Sequence, residues 1–74
     1  MSELALRLIE ENKKTRAPFL DLGNCGLTEV PEEIGELEWL EGLSFYGKWW
    51  DEKGAEQKTR NYGPVNNIKR LQGR

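Results

Sequence analysis

Apolar positions follow three successive rhythms along the chain. Between Ser2 and Arg16, Leu4, Ala5, Leu8 and Ile9 recur at helical spacing among charged residues. Ser2 suits a helix N-cap, Glu3 the positive end of the helix, and Lys13, Lys14 and Arg16 its negative end. Pro18 bars continuation. An amphipathic helix is predicted within residues 2–16. The second rhythm runs through Leu20, Leu22, Cys25, Leu27, Val30, Ile34, Leu37, Leu40, Leu43 and Phe45. Leu20 and Leu22 alternate as in a strand. Gly23, Asn24 and Gly26 predict a turn. From Pro31 the period changes to three at Ile34, Leu37 and Leu40, which predicts a short helical return with Pro31 as its first residue and Glu32 and Glu33 at its positive end. Leu43 and Phe45 then restart the alternation, 43 − 20 = 23 residues after Leu20.

The third rhythm is a lapse followed by a resumption. Lys48 stands where the counterpart of Cys25 is due. Asn66, Ile68 and Leu71 regain the spacing of Cys25, Leu27 and Val30. The offset 66 − 25 = 41 is one period of 23 plus 18 residues. Residues 46–65 therefore read as an insertion, a loop or hairpin, with Asp51–Gly54 as the candidate turn between Lys48–Trp50 and a strand from Gln57 to Tyr62.

The ladder at Leu20, Leu22, Cys25, Leu27, Val30 and Pro31, restarted at Leu43 and Phe45, resembles the leucine-rich repeat of bacterial-type proteins. The resemblance implies an α/β solenoid fragment: short parallel strands, ladder side chains pointing inward, and a capping helix at the N-terminal end. It divides the chain into a cap at 2–16, a first repeat and the start of a second at 17–45, the insertion at 46–65, and a resumed second repeat at 66–74. In the family, an asparagine at the Cys25 position bonds to backbone groups of neighbouring turns; a cysteine there fills space. Partners usually bind the concave sheet. That carries over as outward positions Phe19, Asp21, Gly23, Ser44 and Tyr46. Such arrays often precede signalling modules, Roco-type GTPases among them, so the implied role is a scaffold in a larger protein.

Charge sharpens this picture. Residues 1–45 hold four Lys/Arg and ten Asp/Glu, net −6; residues 46–74 hold seven and three, net +4. The insertion thus combines Tyr46, Trp49, Trp50 and Tyr62 with Lys48, Lys53, Lys58 and Arg60. Aromatic side chains are enriched at protein interfaces, and aromatics mixed with cations also stack nucleic-acid bases. The expected protein-binding set is Phe19, Asp21, Ser44, Tyr46, Trp49, Trp50 and Tyr62; a nucleic-acid-binding module using residues 46–62 is the alternative. Trp39, between two ladder positions, is a candidate for a second contact.

Composition bears on chemistry and location. The chain has no histidine and one cysteine, Cys25, so a histidine-based triad and an internal disulfide are excluded. The many carboxylates around Pro31–Glu41 read as a solvated outer face. "GLSFYGKW" at 42–49 approaches a phosphate-binding loop, but the Ser/Thr position is Trp49, and Leu43 and Phe45 already serve the ladder. No catalytic activity, cofactor or metal is expected. No apolar run approaches a membrane span, and the N-terminal segment lacks the form of a signal peptide, so a soluble, cytoplasmic protein is expected. An open sheet edge after the last strand would leave room for self-association.

Overall fold

The computed structural model describes residues 2–68. The described residues form one helix and two small sheets, and the apolar core lies between the helix, the first sheet and the segment that connects its strands. Helix α1 spans Glu3–Thr15, with the Ser2 hydroxyl accepting the Ala5 N–H at 3.0 Å. It ends where Arg16 takes a left-handed conformation, φ 57°, and donates its N–H to the Asn12 carbonyl at 2.7 Å. Ala5 and Ile9 are fully buried, with Leu4 and Leu8 packed beside them, as the stripe predicts. Asn12 continues the stripe and is also buried. Burial of an amide requires partners. Its Nδ2 donates to the Ala17 carbonyl at 3.1 Å, and its Oδ1 accepts the Trp39 indole N–H at 2.7 Å.

Strand β1, Phe19–Asp21, pairs in parallel with β2, Gly42–Ser44. Leu20 lies opposite Leu43, so paired residues are 23 positions apart throughout. Parallel strands need a crossover, and the chain supplies it through the turn after Leu22 and a short 3-10 helix at Glu32–Glu36. Leu20, Leu22, Cys25, Leu27 and Leu37 are buried and form the core with Ala5 and Ile9. Gly23 is buried where the chain approaches the Tyr46 carbonyl; a Cβ at Gly23 would run into that oxygen.

Several expectations are corrected. Pro31 precedes the return helix rather than beginning it, with ψ 136°, and the helix is a single 3-10 stretch. The ladder is not uniformly buried: Val30, Ile34, Leu40, Leu43 and Phe45 are half-buried. They lie toward the outside of a thin core, where one layer of side chains covers what a thicker body would enclose. Trp39 is half-buried, in keeping with its place between ladder positions. Besides bonding Asn12, it carries the Arg16 guanidinium over its ring, 4.7 Å from the centroid. It ties the end of α1 to the return segment. The carboxylates at 32–41 do face outward, and Glu36 reaches Lys13 at 2.9 Å. With Glu10 at 3.3 Å it raises the Lys13 pKa. Leu71, the last expected ladder residue, lies outside the described residues.

Among the described residues, no helix is long and apolar enough to cross a membrane.

Candidate interaction face

Residues 46–67 divide into two parts, a hairpin and a strap. At the end of β2 the Ser44 hydroxyl accepts the Tyr46 N–H at 3.2 Å, and the chain doubles back. Strand β3, Lys48–Trp50, then pairs antiparallel with β4, Glu56–Lys58. The turn is organised by Asp51. Its carboxylate accepts the Lys53 and Ala55 N–H groups at 2.9 Å each and the Gln57 side-chain amide at 3.0 Å. These bonds, led by that from Ala55, hold the Asp51 pKa below its ordinary value of 3.8. Gly54, at φ 83°, supplies the left-handed residue that closes the turn. The second strand is shorter than the sequence suggests, because Thr59 onward is diverted into the strap.

The strap, residues 59–67, is fastened by amides. The Asn61 Nδ2 donates to the carbonyls of Asp21 at 3.1 Å and Gly23 at 2.9 Å. The Asn24 amide reaches the Asn61 carbonyl at 3.3 Å, and the Gly26 N–H donates to the Pro64 carbonyl at 2.9 Å. Asn66 completes the fastening. Its Oδ1 accepts the N–H groups of Cys25 and Leu27 at 3.2 and 2.8 Å. Its Nδ2 donates to the carbonyls of Leu22 and Phe45 at 2.8 and 2.7 Å. One side chain thus links the turn after β1 to the end of β2. Cys25, by contrast, donates only weakly, to the Gly23 carbonyl at 3.6 Å. Burial, then the nearby Asp21 carboxylate, pushes its thiol pKa up, so it stays a protonated space-filler.

The two faces of the hairpin differ. Trp49 turns toward the sheet and meets the Phe19 ring at a centroid distance of 5.0 Å, tilted 32°. Phe19 has room because its partner is Gly42; a Cβ there would come within 2.8 Å of the ring. The outer face carries Lys48, Trp50, Glu56 and Lys58. The Lys48 ammonium lies 3.9 Å from Glu56 and 5.9 Å from the Trp50 ring centroid.

The expected contact residues separate accordingly. Phe19 and Trp49 are brought together, whereas Trp50, on the opposite face of the hairpin, and Tyr46 are 61% and 77% exposed. Tyr62 is 96% exposed on the strap. Asp21 is half-buried and accepts the Gly23 N–H at 2.9 Å. Ser44 is a correction: it is only 6% exposed, and its hydroxyl is spent on Tyr46. Gly23 is likewise buried rather than outward. The hairpin folds back over the strand face that was expected to be open. Asn12 and Asn61 escaped the sequence reading, and Asn24 was read only as a turn residue. Asn12 left a signal, since it falls in phase with Leu8 and Ile9; Asn61 follows no period.

A cleft of about 390 Å³ lies between Ser2 and the Gly26–Glu33 turn, lined partly by Leu27 and Val30. None of the expected contact residues lines it. Among the described residues no cluster of His, Cys, Asp and Glu has the geometry of a metal site.

The chain matches no protein-family model, no curated protein and no solved structure.

Proposed function

We propose that this chain is a non-catalytic protein-interaction module of the leucine-rich-repeat type, part of a larger scaffold or signalling protein. The aromatic face around its hairpin is the contact surface. The repeat reading is supported by the 23-residue offset of the parallel strands and by Asn66, whose amide bonds to the turn after β1 and to Phe45 just past β2. The capping role of α1 fits its burial against β1 and the return segment.

The observation that carries the binding reading is the exposure of large aromatic side chains on the hairpin and its approach. Trp50, on the outer face of the hairpin, and Tyr46, just before it, are exposed, while Trp49 on the inner face packs against Phe19. Tryptophan and tyrosine dominate binding energetics where a partner can desolvate them, since they offer large area at low entropy cost. The proposed contact residues are Phe19, Tyr46, Trp49 and Trp50.

The test compares wild type with Trp50→Ala and Tyr46→Ala, whose side chains add little to the core. Affinity capture and oligonucleotide binding are measured at two salt concentrations. The reading expects both variants to keep wild-type circular dichroism and lose the captured protein. Oligonucleotide binding that depends steeply on salt and falls in Trp50→Ala would replace it with the nucleic-acid alternative.

A further inference from the structure

The backbone of β4 has one used edge and one unused edge. The Asp51 N–H donates to the Ala55 carbonyl at 3.0 Å and the Thr59 N–H to the Gly47 carbonyl at 2.8 Å. Antiparallel pairs alternate between bonded and non-bonded. The bonded pairs are therefore 47 with 59, 49 with 57 and 51 with 55. The N–H and C=O groups of Glu56 and Lys58 consequently point away from β3. Among the described residues β4 pairs with β3 alone, and all three of its residues are exposed.

We propose that this edge pairs with the same edge of a second copy, antiparallel and centred on Gln57. The product is a four-stranded sheet, β3-β4-β4-β3, across a two-fold axis. The register follows from the backbone and the charges independently. A two-fold axis at Gln57 sets Glu56 opposite Lys58 of the other copy and Lys58 opposite its Glu56. Those are the residues whose backbone groups point outward, so each such pair exchanges two hydrogen bonds. The sequence Glu-Gln-Lys is also self-complementary when reversed: both cross-copy pairs unite opposite charges, which favours pairing across strands.

Within one copy, Lys48 lies directly opposite Lys58, an arrangement that disfavours the hairpin. Glu56 lies 3.9 Å from Lys48, while Lys58 has no carboxylate within 4.0 Å among the described residues. Pairing supplies one, because Glu56 of the second copy faces Lys58. Lysine on an edge strand ordinarily discourages such pairing. Here the glutamate two residues earlier converts the deterrent into a match for one partner, its own copy. The same surface is isologous, as a closed dimer requires. Strands of three residues make an interface smaller than the standard size, so association should appear at roughly micromolar to millimolar concentration.

Sedimentation equilibrium over that range tests the pairing with four samples: wild type, Glu56→Lys, Lys58→Glu, and an equimolar mixture of the two variants. Wild type should dimerise. In each single variant both cross-copy pairs become like-charged, so its dissociation constant should rise about tenfold or more. The mixture should regain dimers, because one chain then presents lysine at both positions and the other presents glutamate at both. The double swap E56K/K58E should dimerise as wild type does. Recovery in the mixture also rules out misfolding as the cause of loss. A wild type monomeric throughout the range overturns the proposal. So do single variants that dimerise undiminished, which would point to another surface such as the free edge of β2, or a mixture that stays monomeric.

Discussion

The body of the protein and its insertion are held together by different physics. The body, α1 with β1, β2 and their crossover, is organised by apolar side chains repeating at short intervals, and its core is contiguous. The insertion contributes no fully buried side chain. Its hairpin leans on one aromatic contact, Trp49 on Phe19. Its strap is fastened by asparagine amides reaching backbone groups 21 to 44 residues away in sequence. Burial is non-directional and tolerant of neighbours. Hydrogen bonds to backbone are directional and fix register. The body therefore supplies cohesion, while the amide bonds of the strap fix where residues 59–67 lie against it.

The largest expected effect lies in the body. Leu22 is fully buried, and Leu22→Ala should cost about 2–5 kcal/mol. A domain of this size holds only about 3–5 kcal/mol in its core, so urea unfolding should show most of the stability gone, with helix and tryptophan signals lost together. Loss of the tryptophan signal alone would break the comparison, because it would mean that the hairpin depends on Leu22 more than the helix does.

Asn66→Ala comes next. It leaves two N–H groups and two carbonyls without their partner, a cost of about 1–3 kcal/mol. Asn66→Asp keeps the acceptor for Cys25 and Leu27 but sets an anionic oxygen against the Leu22 and Phe45 carbonyls, so it should recover little. Urea midpoints of the two variants check this. If aspartate restored wild-type stability, the two donor bonds would contribute nothing and the strap would be a passive covering.

The smallest effect is confined to the hairpin and read by pH. The folded Asp51 pKa lies below 3.8. Its stabilising contribution is fully present above 3.8 and disappears as pH falls through the lower folded value. Tryptophan fluorescence should therefore shift in that acid range before the helical circular dichroism does. Asp51→Asn should remove the early shift. Simultaneous loss of both signals in wild type would show that hairpin and body are one cooperative unit.

The helix, the two parallel strands and the hairpin turn were legible because each rests on a local signal: a cap and stripe, an alternation, an Asp-to-Gly turn. The site was legible only in part. Phe19, Trp49, Trp50 and Tyr46 could be named from residue type, yet nothing local says that Trp49 stacks on Phe19 or that Ser44 is closed off by the chain turning back on it. Trp39 is half-buried, as its place between ladder positions suggests, yet nothing local says that it bonds Asn12 and carries Arg16 over its ring.

Sequence alone determined the 23-residue period and the place where it breaks, since burial of alternate side chains leaves its spacing in the chain. Tertiary structure alone decided that the hairpin folds back over the strand face, and that Asn66 bonds the turn after β1 and the end of β2 at once. Those contacts join residues far apart in the chain, and a polar side chain records in the sequence its capacity to bond but not its partner.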